Sequence, residues 1–141
     1  MSSVAVLNSD LGRGCLTVLM AIAVGGALGS LSRYFLATKV YGWLGIAFPY
    51  GTLVVNLVGC FLLGMVVALV ENRGLFGPAL RSFLTVGFLG GLTTFSTFVY
   101  ETWGLVDSGD LLRPVLYLAV SCIGGLLCLT LGMILTRVVV Q

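Results

Sequence analysis

Four long apolar stretches, joined by short polar or Gly/Pro-containing connections, constrain this chain more than any other feature. They cover residues 15–37, 46–70, 79–103 and 114–140. A helix needs roughly 20 mostly apolar residues, each rising 1.5 Å, to cross about 30 Å of hydrocarbon. Each stretch is long enough. The connections Thr38–Gly45, Glu71–Pro78 and Gly104–Arg113 are too short for a linker, and the last carries the turn signal Asp107-Ser108-Gly109-Asp110. The expectation is an all-α integral membrane protein with four transmembrane helices in one domain, residues 1–141. Composition leaves no alternative in water: 59% of the chain is hydrophobic and 9% charged, against about a quarter charged in soluble domains.

Other absences narrow the chemistry. The chain has no histidine, which excludes a histidine triad, a histidine-ligated zinc or haem, and an imidazole proton relay. A net charge of +2 is too small and dispersed for a nucleic-acid footprint. No nucleotide motif or enzymatic constellation is present, so the chain reads as a non-enzyme. Cys15, Cys60, Cys122 and Cys128 match no metal-ligand spacing and each lies in an apolar run, where free cysteine packs as a small hydrophobe.

The first stretch has two readings. Arg13 before an apolar run containing Ala21-Ile22-Ala23 resembles a cleavable leader, but the run continues well past that point and carries the Gly25/Gly29 spacing of a packed helix, which favours a true span. Four spans put both termini on one side, with Arg13, Arg73, Arg81 and Arg137; Arg33, Lys39 and Arg113 fall on the other. Lys/Arg asymmetry fixes orientation. So even a split is compatible with insertion both ways, or with one orientation set by a small excess.

Glycine marks the packing faces. The pairs Gly25/Gly29, Gly87/Gly91 and Ser121/Gly125 have the small-xxx-small spacing that lets membrane helices approach closely. Burying so many small-residue faces in so small a bundle favours a homodimer.

The third span is the least ordinary. Gly87-Phe88-Leu89-Gly90-Gly91-Leu92-Thr93-Thr94-Phe95-Ser96-Thr97-Phe98 puts paired glycines, followed by two threonines and a serine, near the middle of the span. Glycine costs about 1 kcal/mol relative to alanine in a helix interior, and Ser/Thr hydroxyls compete for backbone carbonyls. A break near the midplane is one reading; its freed carbonyls would suit a hard cation such as Na⁺. The other is a continuous helix whose hydroxyls bond back to the preceding turn.

Several polar residues also have two readings. Phe95 and Phe98 share a helical face and could offer positive ring edges to an anion, or simply pack. Asn56, the one carboxamide deep in a span, needs a partner, either another helix or a permeating ion. Tyr117 and Ser121 form a short hydroxyl stripe that Gly125 interrupts, or act as interhelical glue. Arg33 and Glu101 sit near span ends, where snorkelling accounts for them.

Gly25-Gly26-Ala27-Leu28-Gly29 with Arg33-Tyr34, then Pro49-Tyr50-Gly51-Thr52-Leu53-Val54-Val55-Asn56-Leu57-Val58-Gly59, then Gly87 to Phe98, strongly resemble the Fluc (CrcB) family of fluoride channels. The resemblance covers all four spans in order and leaves Met1 to Gly14 outside. It implies an antiparallel dual-topology homodimer in the bacterial inner membrane, surrounded by lipid, that exports fluoride passively and protects against its toxicity. It assigns backbone carbonyls of Gly90 and Thr93 to a central Na⁺. Phe95, Phe98, Thr94, Asn56, Tyr117 and Ser121 fall to the fluoride pathway, and Arg33 and Glu101 to a vestibule. Gly125 departs from the pattern, where a further hydroxyl would extend the track.

The physics is compatible with that assignment. A small, strongly hydrated anion needs donors that hold it but let it go. An amide, hydroxyls and ring edges fit better than a buried Lys or Arg. The main rival, a small dual-topology drug/proton antiporter, needs an acidic residue in its first span, and residues 15–37 contain none. A non-transporting scaffold subunit would leave Asn56 and the third-span hydroxyls unused.

Overall fold

The structure, a computed structural model, describes residues 3–73 and 76–140, with side chains described for residues 14–70 and 76–140. The basic residues Arg13 and Arg73 therefore lie outside the described side chains. All regular elements among the described residues are helical: α1 (Ser3–Leu44), α2 (Tyr50–Arg73), α3 (Pro78–Ser82), a π-helical segment (Phe83–Leu89), α4 (Gly90–Leu92), α5 (Phe95–Asp107) and α6 (Leu112–Val140). Four segments are long and apolar enough to cross a membrane: Gly14–Leu44, Tyr50–Val70, Pro78–Asp107 and Leu112–Val140.

Three expected boundaries need correction, one of them the end of the third span, which reaches Asp107 rather than residue 103. The first helix does not end at residue 37; it runs through the expected connection Thr38–Gly45 as far as Leu44. No proline interrupts this stretch, Val40 is buried, and Tyr41 packs inward. The helix stops where Gly45 takes φ 78° and its N–H donates to Tyr41 O at 2.9 Å, a left-handed cap that only glycine adopts without strain. The second helix begins at Tyr50 rather than residue 46, because Pro49 supplies the first carbonyl, accepting from Leu53 N at 3.1 Å.

At the other connection the turn forms where expected. Gly109 takes φ 81° and donates to Val106 O. Asp110 Oδ1 then accepts from Leu112 N at 2.9 Å and Arg113 N at 3.1 Å, capping α6.

Glycines sit at two crossings where backbones touch. Gly25 and Gly29 of α1 lie against Phe83, Phe88 and Gly87, while Gly87 and Gly91 lie against Ile22, Gly25 and Gly26. Thus the two glycine pairs read from the sequence pack on one another, backbone to backbone. A second crossing, between α2 and α6, places Gly64 on the Leu129 backbone and Gly132 on that of Phe61. These two glycines lie on different helices, so no single-chain spacing announced them. Between the crossings Val55, Leu89 and Leu92 form the buried core, packed by Leu36, Leu62 and Phe88 among others. The outward faces are apolar, as with Ile123, Leu126 and Leu127 of α6, and suit lipid.

The π-helical turn coincides with the first crossing. Gly90 N–H reaches back to Thr85 O, five residues away, instead of closing a regular turn. Such widened turns concentrate at functional sites.

The crossing can be tested with neighbouring alanines. A Cβ at Gly29 would collide with the Phe88 carbonyl, whereas one at Gly26 would stand 4.0 Å from its nearest neighbour, Gly87 O. Gly29→Ala is expected to lower stability in detergent by about 2 kcal/mol, and Gly26→Ala by less than about 0.5 kcal/mol. Equal thermal stability of the two variants would contradict backbone contact at Gly29.

Candidate functional site: a broken helix between two cavities

The third span is interrupted at Thr93 and Thr94. Their backbones are extended, with φ/ψ of −82°/157° and −149°/125°. Two hydrogen bonds are diverted there. In an unbroken helix Thr94 N–H would donate to Gly90 O; instead it donates to Asn56 Oδ1 at 2.9 Å, and Asn56 Nδ2 donates to Thr94 O at 3.0 Å. Similarly, Thr97 N–H would donate to Thr93 O, but donates to Thr94 Oγ1 at 3.3 Å, making Thr94 the N-cap of α5. The carbonyls of Gly90 and Thr93 thereby lose the partners a continuous helix would give them. Thr93 Oγ1 meanwhile bonds back to Leu89 O at 2.9 Å, so the hydroxyl behaviour of a continuous helix coexists with a broken backbone one residue later.

Asn56 holds this break through both faces of its amide. It stands beside the break because Gly59, a turn later on α2, leaves room for the Thr93 methyl: a Cβ there would collide with Thr93 Cγ2.

One cavity opens on either side. The first, about 630 Å³, is lined by Arg33, Thr52, Thr94, Ser96, Thr97 and Glu101 among others. Arg33 and Glu101 thus share one polar space, brought there by α1 and α5. Glu101 accepts three hydroxyls: Tyr41 at 2.9 Å and Thr52 at 2.8 Å on Oε1, and Tyr117 at 2.8 Å on Oε2. Gly51 makes Tyr41's approach possible, since a Cβ there would meet the Tyr41 ring. The sequence reading missed Tyr41, which it placed in a connection. It also assigned no role to Thr52, although Thr52 stands four residues before Asn56 on the same helical face.

The second cavity, about 400 Å³, is lined by Asn56, Thr93, Thr94, Phe95, Phe98 and Ser121 among others, none of its lining residues being charged. Thr94 lines both cavities. Phe95 and Phe98 lie 5.9 Å apart between ring centroids, yet their settings differ: Phe98 is 6% exposed and Phe95 76%. Tyr117 is fully buried, its ring edge-on to Phe98 at 4.9 Å. It lines neither of these cavities, because its hydroxyl is turned to Glu101. Ser121 Oγ is shielded and has no hydrogen-bond partner among the described residues.

A multi-pass membrane protein in which a broken helix lies between a polar cavity and a second cavity lined by no charged residue has an architecture compatible with an ion-conducting protein. The comparison with known families is specific: residues 20–133 match the model described as "CrcB-like protein, Camphor Resistance (CrcB)", and the chain belongs to that family. It is 47% identical over 119 residues to the fluoride-specific ion channel FluC of Citrifermentans bemidjiense, covering 84% of this chain and 96% of that protein. It is 51% identical over 108 residues to that of Geotalea uraniireducens, covering 74% and 87% respectively. With that of Pelobacter propionicus it shares 46% over 122 residues, covering 86% and 95%.

Removing the carboxamide should loosen the break. Asn56→Ala leaves Thr94 N–H and C=O without these partners in a half-buried site, and is expected to cost about 2 kcal/mol. Thermal or denaturant unfolding in detergent measures it. A loss below about 0.5 kcal/mol would show that Asn56 does not hold the backbone.

Proposed function

We propose that this chain is a fluoride-selective passive channel that exports fluoride across the bacterial inner membrane. The observation that carries the reading is the uncharged 400 Å³ cavity, where Asn56 and Ser121 meet the rings of Phe95 and Phe98. Fluoride sheds hydration only where donors replace water, and a formal positive charge would hold it too firmly to release. Amide and hydroxyl donors with the positive edges of aromatic rings meet both conditions. The names of the relatives, all fluoride-specific channels, agree. With an inside-negative potential, passive flow of an anion runs outward.

The working unit in this proposal is an antiparallel homodimer. Phe95 is largely exposed on a single copy although it lines the cavity with buried Phe98, and a second copy of opposite orientation would cover it. Two copies would also bring together two breaks. The carbonyls of Gly90 and Thr93, deprived of their helical donors, are the right chemistry for a hard cation, and together four of them would hold a structural Na⁺. Arg33 and Glu101 would line the vestibule through which fluoride enters, with Thr94 at its inner end.

Fluoride efflux from liposomes holding the purified protein, with chloride as the control anion, tests the reading. Fluoride is expected to leave at least about tenfold faster than chloride; equal rates, or none for either, would contradict it. Phe95→Ile and Phe98→Ile keep apolar volume and remove the ring edge, so folding should survive within about 1.5 kcal/mol while fluoride flux falls at least about tenfold. Undiminished flux in both variants would remove the rings from the pathway.

An experimental structure of the assembled protein tests the rest. The expectation is an antiparallel pair with cation density between the two breaks; a parallel pair, or breaks facing no ion, would contradict it.

A further inference from the structure

We propose that the thiol of Cys60 completes the polar lining of the pathway one turn beyond Ser121, in the place where Gly125 offers no side chain. The inference rests on the channel reading. It departs from the expectation that all four cysteines are packing residues.

Two helical stripes face each other. On α2, Thr52, Asn56 and Cys60 are spaced four apart and share a face; on α6, Tyr117, Ser121 and Gly125 do the same. The structure pairs them as successive rungs. At the first, Thr52 and Tyr117 both donate to Glu101. At the second, Asn56 and Ser121 both line the 400 Å³ cavity. At the third, a Cβ added to Gly125 would stand 3.4 Å from Cys60 Sγ, ordinary contact distance, and Cys60 lines the same cavity. The polar atom of the third rung is therefore carried by α2 instead of α6.

The stripe ends there for a physical reason. One turn on, Gly64 lies against the Leu129 carbonyl and Gly132 against that of Phe61, so the α2 and α6 backbones touch and nothing passes between them. Cys60 lines the cavity on the near side of this contact. An ion that has reached Ser121, whose buried Oγ has no partner among the described residues, next meets a thiol. An S–H is a weaker donor than a hydroxyl, which suits a terminal site that must release its ion.

The test is fluoride efflux from liposomes loaded with Cys60→Ser, Cys60→Ala, Gly125→Ser and the double variant Cys60→Ala/Gly125→Ser, each matched to the unmodified protein by elution from gel filtration. Cys60→Ser, which keeps a donor, should stay within about threefold of the unmodified rate. Cys60→Ala should fall about tenfold, the scale of one lost hydrogen bond. The double variant returns a hydroxyl to α6 in the space the sulfur leaves, and should recover to within about threefold; Gly125→Ser alone should retain flux. If Cys60→Ala conducts normally, or Cys60→Ser falls as far as Cys60→Ala, the thiol is not a pathway donor. A double variant no better than Cys60→Ala would contradict the exchange of the rung between helices. No flux from the unmodified protein would instead contradict the channel reading itself.

Discussion

The two hydrogen bonds between the Asn56 carboxamide and the Thr94 backbone are the constraint on which the rest of the site depends. In a bilayer an unpaired backbone N–H or C=O costs several kcal/mol, so a break at membrane depth persists only where protein supplies the missing partner. Asn56 supplies both a donor and an acceptor to one peptide residue. With Thr94 N–H taken and Thr97 N–H capped by Thr94 Oγ1, the carbonyls of Gly90 and Thr93 are set apart from the helix ladder, and α5 restarts at Phe95. Phe95, Phe98 and Glu101 all belong to that restarted helix. Their positions beside the two cavities follow from where the break is held.

Around the break, close approach replaces the hydrophobic effect as the means of fixing helices. Lipid tails are as apolar as the side chains they would contact, so association depends on packing and on hydrogen bonds between spans. The Gly25/Gly29 and Gly87/Gly91 contact fixes the first half of the third span against α1, and the Gly64 and Gly132 contacts fix α6 against α2. The second half of the third span is held differently, by the three hydroxyls on Glu101 and by the Phe98–Tyr117 ring contact. A glycine crossing on one side and a polar cluster on the other leave the break between them with cavities open to both.

Much of this was legible in the sequence, and the reasons are particular. The four spans stood out because apolar length is a strong signal. The break was foreseeable from Gly90-Gly91 followed by Thr93-Thr94, a run that disfavours continuous helix. Gly25/Gly29 and Gly87/Gly91 were legible as packing faces from their spacing, but that they pack on one another within one chain came only from the structure. Other features were hidden because they depend on which helices become neighbours. Tyr41 lay in a stretch too polar to count as span, yet that stretch stays helical to Leu44 and delivers its hydroxyl to Glu101. Glu101 read as a snorkelling side chain until α1, α2 and α6 each brought it a donor. Gly64 and Gly132 carry no shared spacing, and Cys60 gains meaning only opposite Gly125.

The most direct test of the account is whether Thr94 N–H is bonded to a side chain or to its own helix. Scalar coupling across a hydrogen bond, measured by NMR on protein labelled with ¹⁵N in threonine and ¹³C in asparagine and glycine, identifies the acceptor. The account predicts a correlation from the Thr94 amide nitrogen to Asn56 Cγ. A correlation from that nitrogen to the Gly90 carbonyl carbon would mean that the helix runs unbroken through Thr94, and would contradict the arrangement from which the site has been built.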